Sequence, residues 1–463
     1  MRTPWPSSFG AEQHEGSRLT ATMPLEAAAL VRRYYVYSGL YTLAASIIWG
    51  INTLFLLDAG LSVTGVFVAN AAFSVGTVLF EIPTGITADT VGRRASFLLS
   101  LVVLAASTIL YVALAQVGAG IVAFSAVSAL IGLGFTFYSG AMEAWLVDGV
   151  RHHGFAGGLD QIFSRSQIVS GAAMLVGTVG GGVVGQVDLA IPFLIRSGLL
   201  VLLFFLAFTG MHDVGFEPRR IPIRSIPAVA LETGAAGLTF GWRHPSLRLL
   251  MVAGAIQNGF FFWAWYAWQP YFLELLERDA VWVAGVVAAL LAVSMMIGNG
   301  IVEVVTRWCG LRTTLLLWTG TVFAGAMIGV GAVSAFLPAL LLLLAAGVAM
   351  GVQMPVRQAF FHEVVPAGQR ATVVSFDSMV GGVGGVVGQG GLGALADRRS
   401  FSAGYVVGGA IALAAVPILV AVRRQADSAD RFVGTRPSAL PSCVPQAVPA
   451  IAHVDGQVPA DVR

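Results

Sequence analysis

The sequence predicts an all-α membrane protein with twelve transmembrane helices in two pseudo-symmetric six-helix bundles. Three observations predict this fold class: the composition, a series of apolar windows and an internal repeat. Of the 463 residues, 57% are hydrophobic and only 11% are charged, whereas soluble domains carry about 25% charged residues. The 56 glycines lie within apolar runs, as is typical of membrane helices. This composition excludes most soluble protein classes.

Apolar windows of about 20 residues, the length of helix that crosses a bilayer, recur along the chain. The first six windows cover 36–57, 62–83, 96–117, 119–147, 163–187 and 190–211. The second six cover 247–273, 280–303, 313–333, 336–360, 371–395 and 402–422. The predicted organisation is an N-terminal tail (1–33), a first bundle (34–211), a polar, proline-bearing linker (212–246), a second bundle (247–422) and a disordered C-terminal tail (423–463).

The placement of arginine predicts the orientation of the spans, because cytoplasmic loops retain basic residues during insertion. All 26 basic residues are arginine. With both termini in the cytoplasm, only four arginines lie outside or near the outer face: Arg196, Arg278, Arg398 and Arg399. The first 30 residues contain no apolar core, so no cleaved leader is predicted. We therefore expect a multi-pass protein of the plasma membrane with both tails cytoplasmic.

An internal repeat relates the fifth span to the eleventh. The segment from Ser164 to Met174 aligns with the segment from Gln369 to Met379, and the string GGVVGQ at 181–186 recurs identically at 384–389. Parallel repeats of six helices are a transporter architecture in which the binding site lies between the halves. The repeat therefore predicts a cavity between two related bundles.

The most specific string, EIPTGITADTVGRR at 81–94, ends the second span and enters the third. Gly85 leaves one helix face bare for a close neighbour, and Gly92 permits a turn. Asp89, Arg93 and Arg94 then lie together at the helix mouth. The string resembles the signature of the major facilitator superfamily, which reads Gly, three residues, Asp, two residues, Gly, Arg, Lys or Arg.

The resemblance to the major facilitator superfamily implies twelve spans and a conformational gate on the cytoplasmic face. In that family the aspartate lies near the start of the eleventh helix, and the arginine pairs with an acid on the fourth. Carried over to this chain, the gate is Asp89 and Arg93, with Asp148 or Glu143 as the acid. The equivalent loop of the second half is degenerate, because Arg307 stands where the acid is expected.

Within the superfamily, three further regions resemble the drug:proton antiporter branch that contains macrolide and tetracycline exporters. They are 81–85, 139–146, and 355–359 together with 370–372. The fifth span also resembles the antiporter-associated Gly-Pro, two residues, Gly-Gly pattern, except that Thr178 replaces the proline. Small residues at this position are explained as well by tight helix packing.

Acidic residues within spans are costly unless they are paired or hydrated, so each is a functional candidate. Glu81, Glu143 and Asp377 are candidates for proton coupling, because a carboxyl in such a site can hold a proton and release it when the cavity opens to water. The alternative is structural ion pairing, with Arg357 or Arg370 for Asp377, and with Arg93 or Arg165 for Glu143.

The predicted substrate cavity combines amides with aromatic rings, which suits a large, partly apolar ligand, cationic ligands included. Its candidate residues are Asn52, Asn258, Trp263, Tyr266 and Arg357. A lipid-facing aromatic belt is an equal alternative for Trp263 and Tyr266. Arg196 has two alternatives, snorkelling to the outer interface or contact with substrate.

These features predict a secondary active transporter that works by alternating access, with proton-coupled efflux of drug-like amphipathic molecules. The alternative within the same fold is uptake or facilitated diffusion of a metabolite. An enzyme is disfavoured because no convergent catalytic set stands out, and a sensor because the tails have little globular character. The expected partners are a small molecule, protons and the lipid bilayer. We expect a monomer with no cofactor, no metal site and no nucleic-acid partner.

Overall fold

The computed structural model describes residues 23–157, 159–216, 237–278, 280–365 and 370–432. The helices of the first half are α1 (Leu25–Ser46), α2 (Asn52–Asp58), α3 (Val63–Thr90), α4 (Arg93–Gln116), α5 (Ile121–Tyr138), α6 (Ala141–His152), α7 (Asp160–Gly185) and α8 (Ile191–Gly210). Those of the second half are a short π-helix (Gly237–Trp242), α9 (Pro245–Leu276), α10 (Val281–Trp308), α11 (Arg312–Ala332), α12 (Phe336–Val364), α13 (Arg370–Arg398), α14 (Phe401–Leu413), α15 (Ala415–Arg424) and a 3₁₀ turn (Ser428–Asp430).

The twelve predicted crossings are present in the described part of the chain. Eleven helices there are long and apolar enough to cross a membrane, counting α5 with α6 and α14 with α15 as single crossings. The remaining crossing is the first, which is divided at 47–51 into α1 and α2. The all-α, twelve-helix prediction is confirmed.

Two boundaries differ from the predicted organisation, and part of a third segment, the linker, lies outside the described residues. The first helix begins at Leu25 rather than after residue 33. The prediction placed its start too late because the arginines in its first turns lower the mean hydropathy there. Residues 424–432 are structured rather than disordered, because this segment folds back against α11. In the predicted linker, 212–216 and 237–246 are described, and 217–236 lies outside the described residues, as does the tail from 433.

The two ends of the bundle are named here by their loops. The basic end contains the start of α1, the end of α15 and the loop from α3 to α4. The distal end contains the loops from α2 to α3 and from α7 to α8. Because the predicted cytoplasmic arginines lie at the basic end, the sequence assigns this end to the cytoplasm.

The glycine repeat performs the same packing task in each half. A Cβ atom at Gly181 on α7 would collide with the backbone of Ile47 at the end of α1. A Cβ atom at Gly384 on α13 would collide with the backbone of Ala255 on α9. In both halves, small residues bring the fifth helical crossing into backbone contact with the first. The repeat thus accounts for the pseudo-symmetry of the bundles.

The two halves are held together at the distal end. Within the described residues, the hydrogen bonds between halves are Thr53 N to Gln269 Oε1, Thr53 Oγ1 to Tyr266 O, Gln269 Nε2 to Trp49 O, Thr64 Oγ1 to Asp397 Oδ2, and Trp282 N to Gln186 Oε1. All of them lie at the distal end. Gly182 and Gly285 also bring α7 and α10 together there. The distal side is therefore closed.

Candidate functional site

A central cavity of about 870 Å³ lies between the two halves. This volume suits a drug-sized molecule. Toward the basic end its wall is formed by the last turns of α3, at Glu81 and Ile82, and by the first turns of α13, at Val374 and Ser378. Since the contacts between halves close the distal end, the cavity faces the basic end.

The first half contributes most of the polar wall. Asn52 Nδ2 donates to Asn70 Oδ1 over 3.1 Å, and the hydroxyls of Tyr111 and Ser128 are 2.7 Å apart. Arg196, in the second turn of α8, also lines the cavity and is only 7% exposed. It does not snorkel to the outer interface. Its guanidinium makes no ion pair or hydrogen bond with any described residue, and its Nε is buried without a partner.

Glu81 is the acidic side chain on the described wall of the cavity. Ser139, between α5 and α6, donates its hydroxyl to Glu81 Oε1 over 3.2 Å. The carboxylate makes no ion pair with a described residue. Glu81 thus combines two properties that a proton carrier needs, which are access to the cavity and freedom from a permanent cationic partner.

The other two coupling candidates lie elsewhere. Asp377 accepts two hydrogen bonds from Arg357, at 2.6 and 2.7 Å, and this guanidinium also stacks 4.8 Å above the ring of Phe361. Neither member of the pair lines the cavity. Glu143 is exposed in the first turn of α6 and does not line the cavity either. The ion-pair alternative is the one that the geometry favours for Asp377.

On the side of the second half, residues of α9 line the cavity. Asn258 and Tyr266 line the cavity, as the sequence predicts, and their contact with a substrate stays a prediction. Trp263 does not reach the cavity, because its ring is fully buried between Phe67 and Tyr405, with centroid separations of 5.7 and 5.1 Å. Its placement on the cavity wall was wrong, and so was its placement in a lipid belt.

The placement of Arg357 on the cavity wall was also wrong, since its guanidinium is directed at Asp377. The rings that do line the wall beside Tyr266 include Phe261, Phe262 and Trp265. The rotation of α9 about its axis decides which of its aromatic residues face the cavity. Successive aromatic residues of α9 point in different directions around the axis, and only packing fixes which of them faces inward.

The predicted gate residues meet at the basic end of the first half. Arg93 donates to Asp89 over 2.5 Å, and its Nε lies 3.7 Å from Asp148 Oδ2. Of the two acids considered for this contact, Asp148 is the one within reach. Gly92 has a φ of +129°, which a residue with a Cβ rarely adopts. A Cβ at Gly85 would meet no atom of the described residues within 4 Å, so no described helix packs closely on Gly85 in this conformation.

Asp213, which belongs to the predicted linker, contacts the predicted gate residues. Asp213 Oδ1 accepts a hydrogen bond from the backbone N–H of Arg94 over 2.8 Å and so caps α4. Arg94 itself donates to the carbonyl of Phe208. Burial raises the pKa of the Asp213 carboxyl, and the Arg94 N–H and the charges of Arg94 and Arg93 partly offset this effect. The sequence contains one indication of this contact. Gly92 is the N-cap of α4 and has no side chain to accept a hydrogen bond from the first turn, so another residue must do so.

The second half contains a matching cap at the degenerate loop. Asp430, which is buried, accepts from the backbone N–H and the hydroxyl of Thr313, both over 2.7 Å. Arg312 donates to the carbonyl of Ala429 and stacks 5.4 Å above Phe432. In each half, therefore, an acid beyond the last span caps the third crossing. Sequence reasoning missed this pair because each acid lies more than one hundred residues from its partner.

Two six-helix bundles around a central cavity define a membrane transporter fold. Residues 35–328 match the sequence profile of the Major Facilitator Superfamily. This is more than half of the chain, so the chain belongs to that superfamily. Its members are transporters, and the prediction that this chain is not an enzyme is confirmed.

Solved transporter structures show the same fold. The nucleoside transporter NupG has a TM-score of 0.69 at 12% identity, covering 85% of this chain and 99% of that one. The human organic anion transporter MFSD10 (TETRAN) has a TM-score of 0.59 at 18% identity, with coverage of 85% and 99%. A D-xylose-proton symporter has a TM-score of 0.60 at 15% identity, with coverage of 85% and 97%. No curated protein matches the chain by sequence.

Proposed function

We propose that this protein is a secondary active transporter of the plasma membrane that exports amphipathic small molecules in exchange for protons. The two halves rock about the central cavity, which faces the basic end in this conformation. Positive-inside placement assigns the basic end to the cytoplasm, with both termini. The cavity would then take its substrate from the cytoplasm or from the inner leaflet. A single chain contains both bundles and the whole cavity wall, so we propose a monomer.

The observation that carries the proposal is Glu81 on the cavity wall. Its carboxylate has a hydroxyl partner, Ser139, and no ion-pair partner among the described residues. A proton bound from the outer side would be released to the cytoplasm when the cavity faces inward. The substrate would bind from the cytoplasm in the same state and leave on the outer side. This exchange couples the inward flow of protons to export.

Asp89, Arg93 and Asp148 are the proposed gate at the basic end, together with Arg94, Gly85 and Gly92. The cluster lies within the first half in the inward-facing state. Rocking would bring α13 toward α3, where the bare surface at Gly85 leaves room for it. The open space at Gly85 is thus explained as a docking surface that is filled in the opposite state.

The alternative function is uptake or facilitated diffusion of a metabolite. It needs no acid on the cavity wall, and replacement of Glu81 would then leave flux intact. The three similar structures are a nucleoside transporter, an organic anion transporter and a D-xylose-proton symporter. Their range of cargo supports small-molecule transport by this fold.

The test is proton movement in inside-out membrane vesicles energised by respiration, followed by acridine-orange dequenching. Tetracyclines, macrolides, cationic dyes and carboxylated dyes are added in turn. We expect compound-specific dequenching with the native chain and none with Glu81→Gln, because the amide cannot carry a proton. The matched control is Glu303→Gln, the same change at an exposed site on α10 away from the cavity wall. Full dequenching with Glu81→Gln would contradict the coupling role.

A further inference from the structure

We infer that the cavity selects amphipathic organic anions, such as carboxylates and sulfonates with an aromatic body, and that Arg196 binds the anionic group. The inference rests on the proposed function only in taking the central cavity as the substrate site. It specifies the charge of the substrate, which the proposed function leaves open.

Arg196 places a positive charge at the wall of the central cavity. Arg196 belongs to a transmembrane helix, is 93% buried and lines the cavity rather than the lipid surface. Its electrostatic neighbours are the hydroxyls of Tyr41 and Tyr111. Glu81, the acid of the described cavity wall, does not pair with it. The guanidinium is therefore a cationic centre inside the protein with no anion supplied by the described chain.

Two other arginines within the bundles have acidic partners, unlike Arg196. Arg357 is neutralised by Asp377, and Arg93 by Asp89 and Asp148. A buried charge without a partner is strongly unfavourable and is rare in membrane spans outside functional sites. An incoming anion is the partner that Arg196 lacks. A guanidinium presents several N–H donors in a planar fork that matches carboxylate and sulfonate oxygens.

Asn70 adds a second unpaired hydrogen-bond donor to the cavity wall. Asn70 also lines the cavity, is 4% exposed, and its Nδ2 is buried without a partner while its Oδ1 is occupied by Asn52. Two side chains on the described cavity wall thus carry buried donors without a partner, Arg196 and Asn70. Unpaired donors require acceptors, and an oxyanion is an acceptor alone. A cationic ligand would add further donors to this wall.

The side of the cavity formed by the second half suits the apolar body of such a ligand. Opposite the polar wall, the second half presents the rings of Phe261, Phe262, Trp265 and Tyr266, and the thioethers of methionines from α10, α12 and α13. Aromatic and methionine side chains bind flat apolar bodies with little geometric restriction. The cavity therefore fits a molecule with an anionic end at Arg196 and an apolar aromatic body against α9.

The experiment uses the full chain purified in dodecyl maltoside at pH 7.5 and three naphthalene probes of nearly equal shape. These probes are 2-naphthoate (anionic), 2-naphthamide (neutral) and 2-naphthylmethylamine (cationic). Binding is measured by equilibrium dialysis with the fluorescence of the probe. We expect 2-naphthoate to bind at least about tenfold more tightly than the other two. In Arg196→Gln its affinity falls about 30-fold or more, as when one partner of a buried charge pair is removed, and that of 2-naphthamide is unchanged.

Arg278→Gln is the matched control, because it removes the same charge from an exposed distal-end position outside the cavity wall. It should bind all three probes as the native chain does. Arg196→Lys keeps a cation and should retain part of the preference for 2-naphthoate, which separates charge from packing. If neither Arg196 variant folds, the order of the three affinities in the native chain still decides. Equal or tighter binding of the amine overturns the inference.

An anionic lipid headgroup has the same chemistry as a soluble organic anion, so a competition arm separates them. Naphthalene-2-sulfonate should displace 2-naphthoate, and phosphatidylglycerol should not. Displacement by the lipid alone would overturn the assignment to soluble anions.

Binding in detergent needs neither a proton gradient nor transport. Selective naphthoate binding without proton movement in vesicles would therefore contradict the proposed function alone. Proton-coupled export that is identical in native and Arg196→Gln vesicles would contradict this inference alone.

Discussion

Asp213 links the proposed gate to the segment that leaves the first bundle. Its carboxylate caps α4 at Arg94, and the adjacent backbone at His212 accepts a hydrogen bond from Trp145 Nε1 over 2.8 Å. Arg93 stacks 5.5 Å above the ring of Phe216 in the same segment. One short stretch of chain thus contacts both the gate loop and α6.

The raised pKa of Asp213 predicts a pH effect on stability. Because burial raises this pKa above the usual 3.8, the folded chain holds the proton more tightly than the unfolded chain. The stabilising contribution is complete below pH 3.8 and is lost as the pH rises through the raised pKa. Asp213→Asn cannot ionise and can still accept the Arg94 N–H. We expect the melting temperature of Asp213→Asn, relative to the native chain, to increase from pH 4 to pH 8 in detergent.

Asp58→Asn provides the control for the pH effect, since it is the same change at an exposed site. Its melting temperature should follow that of the native chain across the pH range. A constant difference between Asp213→Asn and the native chain at every pH would contradict the argument from burial.

At the scale of elements, the first crossing is interrupted between α1 and α2. Backbone groups at this break form hydrogen bonds with a side chain of the opposite half. The break at 47–51 frees backbone groups that a continuous helix would pair. The Gln269 side chain, which is fully buried on α9, accepts from Thr53 N and donates to Trp49 O, both over 2.8 Å. The break therefore serves as a distal contact between the two halves.

Gln269→Leu is expected to destabilise the distal-closed state by about 1–3 kcal/mol, because it leaves buried backbone groups without partners. The measurement is the rate of oxidative cross-linking between Thr64→Cys and Asp397→Cys, whose native side chains meet at the distal end. Cross-linking should slow in Gln269→Leu and stay unchanged in Gln116→Leu, an exposed position on α4. An unchanged rate in Gln269→Leu would show that the amide does not hold the halves together.

At the scale of the whole molecule, closure at one end accompanies opening at the other. The hydrogen bonds between described residues of the two halves all lie at the distal end, and the cavity faces the basic end. Transport by rocking requires these distal contacts to break in every cycle. A covalent bond across the distal end should therefore arrest transport.

We expect oxidised Thr64→Cys/Asp397→Cys protein to lose the proton movement assayed in vesicles and to regain it on reduction. Both native cysteines, Cys309 and Cys443, are replaced by serine in this background. Thr64→Cys alone should be insensitive to oxidant. Full transport by completely cross-linked protein would exclude rocking about the distal contacts.

The number of crossings, the division into halves and the contact between Asp89 and Arg93 could be predicted from the sequence. The bilayer imposes an apolar length on each crossing, and this length is a local property of the chain. The Asp89, Gly92 and Arg93 spacing is local too, since residues four apart on a helix, or on the turn that follows, meet without help from the rest of the fold. The repeat was visible because both copies keep the same small residues for the same backbone contact.

Tertiary structure alone decided which polar groups have partners. Arg357 and Asp377 are twenty residues apart, and only the tertiary arrangement of α12 and α13 joins them. Arg196 has no acid partner among the described residues. Trp263 and Trp265 are two residues apart, yet one is buried in the core and the other lines the cavity. Hydropathy determines whether a helix crosses the membrane. It does not determine how the helix is rotated about its own axis. That rotation is set by contacts with neighbouring helices, and these contacts decide the charge and shape of the cavity.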